Sequence, residues 1–317
     1  MSNRIIEEMN KIDIPRELSD RSKLGVLQAK SEMKMKMFKR RGFLFAASLL
    51  VGIGTYAVTN DLNLRDSQPE QTLFASPDGS ITIPEIKLPE ENSKANMIGL
   101  IVYNNKIYTQ TDTEIIAKHA NSLIGDKLGM TKGTIDEWSS HDEYTVEFAS
   151  TVGITDVYSV KGYDQDFRIM TYEEKDGKVY AEIFESLNNI TIENGEDLFG
   201  KLKIINNVNL AQIRYYSDFY NSTANYQNIA DLNLIHSFFE TLNETKPILQ
   251  EDLPLTRHDY YNDERFRELI VYLNDGTKVR ITLFEGGYVH YGYMPIYFKM
   301  EDLEIFNQVW VQLPLTD

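Results

Sequence analysis

An α+β fold carried behind a single membrane-spanning helix is what this sequence predicts, and three observations predict it. Residues 42–60 hold no Asp, Glu, Lys, Arg or His and follow directly on a basic run. Further on, Asx-Gly and Asn-Asn pairs separate alternating β-rich runs, the strongest short-range signal of antiparallel hairpins. Between those runs lie segments whose apolar residues recur at helical spacing.

The chain has 317 residues, 42% of them hydrophobic and 11% aromatic, enough for a substantial core in one large domain or two ordinary ones. Its net charge of -16 is unevenly spread. Residues 1–41 carry 11 Lys/Arg and 6 Asp/Glu, a net of +5, whereas residues 42–317 carry 21 and 42, a net of -21. A sign change at the apolar stretch points to two different surroundings. The acidic bulk excludes nucleic acid as the large domain's partner, because phosphate binding needs clustered Lys/Arg. The absence of cysteine excludes disulfides, a thiolate nucleophile, Cys-based zinc sites and a lipid-modified export signal, without settling the compartment.

The elements follow in order. Residues 1–41 read as a basic, mostly helical cytoplasmic segment: Asp13 can cap, Pro15 suits a first-turn position, and no further proline follows before the span. Residues 42–58 form the transmembrane helix, with Gly42, Phe43, Leu44, Phe45, Leu49, Leu50, Val51, Ile53 and Val58 as its anchor residues. Seventeen residues span roughly 25 Å, near the lower limit for a bilayer core of about 30 Å. Lys39, Arg40 and Arg41 extend the reach by snorkelling, and their charge keeps the amino terminus inside and the acidic domain outside. Two other readings compete. Arg40-Arg41-Gly42-Phe43-Leu44 resembles a twin-arginine export signal, although the positive region ahead of it is long and no A-x-A site follows promptly. A buried soluble helix is disfavoured by the steep charge step.

Residues 59–95, rich in Pro, Ser, Asp, Glu and Asn, read as a stalk in which "SITIPEIKLP" makes at most an edge strand. The acidic α+β domain is expected at 96–317, in two halves, 96–205 and 206–317. Hairpins are expected at Asn104-Asn105, Asp176-Gly177 and Asp275-Gly276. "TDTEIIAKHANSLIG" reads as a helix opened by a Thr111/Glu114 capping box, with Ile115, Ile116, His119 and Leu123 on one face. "IADLNLIHSFFETLN" and "MEDLEIFNQVW" read as two more helices.

"IDIPRELSDRSKLGVLQAKSEMK", followed by a basic stop and one apolar span, resembles the start of Firmicute anti-sigma-factor-like single-pass membrane proteins. The likeness covers about the first 60 residues and nothing beyond; the remainder looks like an uncharacterised exported domain. The resemblance implies a cytoplasmic helix that holds or modulates a sigma factor, with Ile14, Leu18, Leu24 and Leu27 at the matching apolar positions. The physics of the segment alone favours a basic helix lying on anionic lipid headgroups over a docking helix.

No catalytic constellation is visible. His119, His141, His236, His258 and His290 make no H-x-x-x-H or H-E-x-x-H spacing, and there is no G-x-S-x-G elbow, phosphate loop or dinucleotide fingerprint. Paired carboxylates abound (Asp164 with Asp166, Glu173 with Glu174, Asp263 with Glu264, Glu301 with Asp302), but spacing cannot place two across a cleft. "NGED" at 194–197 and "YNDE" at 261–264 do not match an EF-hand loop, so neither a metal nor a cofactor is expected. The candidate partner surface is "GGYVHYGYMPIYF". On a strand, Tyr288 and His290 share one face and Tyr291 and Tyr293 the other, so that one face enters the core and the other is left as an aromatic strip for a glycan or a protein. The expected function is a non-enzymatic regulatory or sensory protein in the cell membrane of a Gram-positive-type bacterium. Its partners would be the membrane, a sigma factor or other cytoplasmic protein, and an unknown extracellular ligand. An exported or anchored cell-envelope binding or structural protein is the alternative.

Overall fold

The computed structural model describes residues 73–84, 99–135, 139, 145–256 and 259–313. Apart from Tyr220–Ser222, the architecture that follows belongs to one compact unit, Phe45–Phe219 with Thr223–Asp317. The segment 1–41, the anchor residues 42–58 and the topology charges Lys39, Arg40 and Arg41 lie outside the described residues. Among the described residues no helix is long and apolar enough to cross a membrane.

In chain order the strands are β1 (Phe74–Ala75), β2 (Ile81–Ile83), β3 (Leu100–Tyr103), β4 (Lys106–Thr109), β5 (Thr113–Ile115), β6 (Ile124–Met130), β7 (Asp156–Val160), β8 (Arg168–Lys175), β9 (Lys178–Glu185) and β10 (Ile190–Ile192). Then come β11 (Val208–Tyr215), β12 (Gln227–Ile229), β13 (Pro247–Leu249), β14 (Phe266–Leu273), β15 (Thr277–Phe284), β16 (Tyr288–His290) and β17 (Ile296–Lys299). The helices are α1 (Ala120–Leu123), α2 (Glu196–Phe199), α3 (Tyr216–Tyr220), α4 (Leu232–Asn243) and α5 (Leu303–Trp310). The class is α+β, with antiparallel sheets and few helices.

The first large sheet has the order β3-β4-β9-β8-β7-β6. Its hairpins form where the Asx pairs predict them: Asn104 and Asn105 have φ of 49° and 56°, and Asp176 and Gly177 have 53° and 68°. Positive φ at both central residues is what a twisted two-residue hairpin requires. The sheet curls until its two ends meet through one short segment. Phe148 N donates to Val102 O and Val102 N to Ala149 O on the β3 side, while Lys132 N donates to Phe148 O and Ile135 N to Ser150 O beyond β6. This bridge covers part of the β3 edge. Ile101, Tyr108, Val157, Ile169 and Phe184 fill the inside. The alternate residues of β8 and β9, Arg168, Met170, Ile183 and Glu185, therefore face outwards.

The second sheet has the order β12-β11-β14-β15-β16-β17-β13, with β5 paired to the far half of β15. Pro247 opens β13 on its edge, where a missing donor is tolerated. One face carries Ala211, Ile213, Leu269, Val271, Val279, Ile281, Leu283, Val289 and Phe298 against Leu198 and Phe199 of α2, Ile235, Phe238, Phe239 and Leu242 of α4, and Phe306 and Val309 of α5. Each such side chain contributes roughly 1.5–3 kcal/mol on burial. Helices α4 and α5 form as their spacing predicts, and Asp231 and Asp302 cap them by accepting from the second and third helical N–H groups.

Two expectations are corrected here. Residues 73–84 belong to the folded domain and not to a stalk. β2 is the central strand of a three-stranded sheet, β1-β2-β10, and Ile81 and Ile83 are buried in the main core. Pro84 falls just past the strand, so its missing N–H costs the ladder nothing. "TDTEIIAKHANSLIG" is not one helix. Residues 113–115 form β5, Ala117–His119 a 3-10 turn and Ala120–Leu123 a single helical turn. β-branched Thr113 and Ile115 suit a strand, and β15 offers an open ladder position there.

Candidate functional site

Residues 111–115 pass from the first sheet into the second, and the alternation of a strand divides their side chains. Thr111 and Thr113 turn towards the outer face of β8 and β9, Asp112 and Glu114 towards the second sheet. Each pair nucleates a polar centre.

The first centre is closed off from water. Arg168 and Glu185 sit directly opposite on β8 and β9, and both are 0% exposed. Arg168 Nε donates to Glu185 Oε1 at 2.9 Å, and Arg168 Nη2 makes a second, shorter bond to the same oxygen. Nη2 also reaches Thr113 Oγ1 at 3.4 Å, Thr113 Oγ1 lies 2.7 Å from Tyr291 Oη, and Tyr291 Oη donates to Glu185 Oε2 at 2.6 Å. The hydrogen bonds thus close a ring, with Thr111 Oγ1 donating to Glu185 Oε2 from outside it at 2.7 Å. Burial alone would pull Arg168 down, but Glu185, Tyr163 and Tyr291 hold its guanidinium above the usual arginine value. Its plane rests on the Tyr163 ring, 4.1 Å from the centroid. Tyr163 in turn donates to Asp275 Oδ2 at 2.6 Å, in the β14–β15 turn. Burial, then the Glu185 charge, pushes the Tyr291 phenol well above its ordinary value, so it stays a donor at any physiological pH.

The second centre is a chain of ion pairs on the face of the second sheet away from the helices. Arg214 of β11 pairs with Glu268 of β14, Arg280 of β15 lies 3.8 Å from Glu268 and 2.8 Å from Glu114, and Lys278 reaches Glu114 at 2.7 Å. Arg214 is also flanked by the Phe219 and Tyr226 rings. Asp112 stands at the end of this chain. Its carbonyl accepts from Arg280 N at 2.9 Å, and its Oδ2 accepts from Gly292 N at 3.0 Å. Burial raises the Asp112 carboxyl to about 6 against the pull of Arg280.

The predicted aromatic strip is corrected by this geometry. His290 and Tyr291 are 7% and 1% exposed, and Tyr288 and Tyr293 are half-buried. Both faces of the strand are covered: Val289 enters the helix-side core, while His290 lies beside Tyr297, their rings 4.6 Å apart. The strand ends at His290, so Tyr291 no longer alternates and turns instead to the buried ring. His290 Nε2 pairs with Met294 O at 2.8 Å, and burial lowers its pKa to about 4.

The other sequence candidates do not converge. His236 Nδ1 accepts from Asn206 N at 3.1 Å, and His141 and His258 lie outside the described residues. In "NGED", Asp197 accepts from the N–H groups of Glu193 and Asn194, and in "YNDE" Asn262 accepts from Glu264 N, so both are turn chemistry. Among the described residues no three His, Asp or Glu are grouped to hold a metal ion. Sequence reasoning missed Arg168, Glu185, Arg214, Glu268 and Arg280. The available signal was a charge enclosed by apolar neighbours inside a strand, as in "FRIM" and "FRELIV". Arg267 is a further instance, fully buried between the Tyr215 and Trp310 rings, with burial pulling its pKa below the usual value.

Comparison of the chain with protein-family models, with curated proteins and with solved structures finds no match.

Proposed function

We propose that this chain is a membrane-tethered sensory protein without enzymatic activity, in the manner of an anti-sigma factor. The acidic α+β domain stands outside the cell, residues 42–58 cross the membrane, and the basic segment 1–41 meets a sigma factor or other cytoplasmic protein. The observation that carries the reading is the charge step: eight Lys/Arg against one acid over residues 21–41, then an uncharged run, then a chain of net -21 from residue 42 onwards.

A second reading rests on Arg40-Arg41-Gly42-Phe43-Leu44: export and release as a cell-envelope protein with no signalling part. Cells expressing the full chain with a C-terminal tag decide between them. Membrane-bound full-length tag that external protease degrades in intact cells supports the first reading, as does co-purification of a sigma factor with that chain. A shortened tagged product in the medium overturns it.

A further inference from the structure

Three successive residues, His290, Tyr291 and Gly292, stand at the end of β16, and each is taken by a different polar partner, Asp112 among them being half-buried. His290 Nε2 pairs with Met294 O, Tyr291 Oη joins the Arg168–Glu185–Thr113 ring, and Gly292 N donates to Asp112 Oδ2. The partners of Tyr291 and Gly292 come from the first sheet and from the crossover, while Met294 lies in the same β16–β17 connection, so His290 fixes that loop locally. We propose that Asp112 and the His290–Tyr291–Gly292 tripeptide form a proton-responsive clasp across the joint of the two sheets, so that the signal this domain reads is external acidity. The proposal rests on the sensory reading above for its biological meaning and on the geometry alone for its chemistry.

The surroundings allow one proton to matter. Asp112 faces Glu114 on its own strand, Glu268 on β14 and Arg280 on β15, and from the tripeptide loop it meets the Gly292 N–H. With Asp112 ionised, three carboxylates crowd around Arg280; with it neutral, Arg280 is left to Glu114 and Glu268. The bond from Gly292 N is charge-assisted only in the ionised state, so neutralisation weakens it. His290 is faced by Thr282 of β15 and Tyr297 of β17, neither of them charged in this range.

The signs of the two titrations oppose. Asp112 is raised to about 6 from an ordinary 3.8, so the folded protein takes up that proton first. Its contribution to stability is gained as pH falls from about 6 and lost as pH rises through it. His290 is lowered to about 4 from 6.5, so its contribution is present above 6.5 and lost as pH falls towards 4. Between those limits the native clasp carries no charge at either residue, and the two stability effects offset each other.

The test uses the full chain in detergent, labelled with ¹⁵N-glycine, together with Asp112→Asn and His290→Gln. The Gly292 amide signal is expected to shift between pH 7 and 5 with a midpoint near 6 and to lose that shift in D112N. From pH 7 to 5 the Tm of D112N should fall relative to wild type, and that of H290Q should rise, each by roughly 3–5 °C. A Gly292 signal that does not titrate, or one that still titrates in D112N, overturns the clasp. If either variant fails to fold, the wild-type Gly292 titration decides alone. Failure of the protease-accessibility experiment would overturn the sensory reading while leaving the titration intact, so the two can fail separately.

Discussion

Arg168 and Glu185 illustrate what a fully desolvated pair demands. Taking both charges out of water is expensive, and Thr111, Thr113, Tyr291 and the Tyr163 ring help their attraction to offset it, although Arg168 Nη1 is buried without a hydrogen-bond partner. Removing one partner should therefore hurt more than removing both. Glu185→Leu or Arg168→Met is expected to cost on the order of 3–5 kcal/mol in denaturant unfolding, since each strands a buried charge or its donors. The double replacement Arg168→Met with Glu185→Leu should cost less than the sum of the two single changes. A strictly additive double mutant would show that the two residues do not act as a pair.

At the scale of the element, the 110–124 segment shows how a neighbour overrides local preference. Its Thr-x-x-Glu pattern is a sound capping signal, yet Glu114 is drawn to Lys278 and Arg280 and Thr113 to the buried ring. The turn of β14 into β15 holds the segment in place. Gly276 has φ of +92°, its carbonyl accepts from Ile116 N, and a Cβ added there would lie 2.2 Å from His119 Cβ. Gly276→Ala combines a left-handed backbone with that collision, so it should destabilise the protein by more than 1 kcal/mol. The same change at Gly177, also at positive φ but with nothing within 4 Å, should cost about 1 kcal/mol or less. Parallel thermal melts of the two variants check the difference, and equal losses would mean that the packing against His119 is unimportant.

For the molecule as a whole, the folded domain begins by Leu73. Ile81 and Ile83 are 1% and 0% exposed and pack, with Ile192 of β10, into the core that α2, α4 and α5 cover. A chain starting at residue 96 would open that core and leave β10 without its partner. Such a truncation is expected to be insoluble or to lose its cooperative unfolding transition, while one starting at residue 70 should keep it. Cooperative melting of the 96–317 chain would show that β1 and β2 are dispensable. The two large sheets are not independent, because β5, which precedes β6–β9 of the first sheet along the chain, pairs with β15 in the second. That exchange makes the joint a shared structure and not a linker.

Much of the architecture was legible along the chain because it depends on neighbours in sequence. Asn104-Asn105 and Asp176-Gly177 reverse the chain by their own backbone preferences, and Asp231 and Asp302 cap helices whose apolar spacing already marks a buried face. The α+β class follows from these local events. What they could not reveal is which partner lies across a sheet or a joint. Thr111, Asp112, Thr113 and Glu114 read as the start of a helix, and "YVHYGY" as an exposed strip, because nothing near them in sequence announces Arg168, Glu185 or Arg280. The hydrogen bonds of the joint link residues 55 to 180 positions apart, and only the folded chain brings them within range. The physical reason is that burial and long-range charge pairing are collective: each polar side chain of the joint is tolerable inside only because the others are already there.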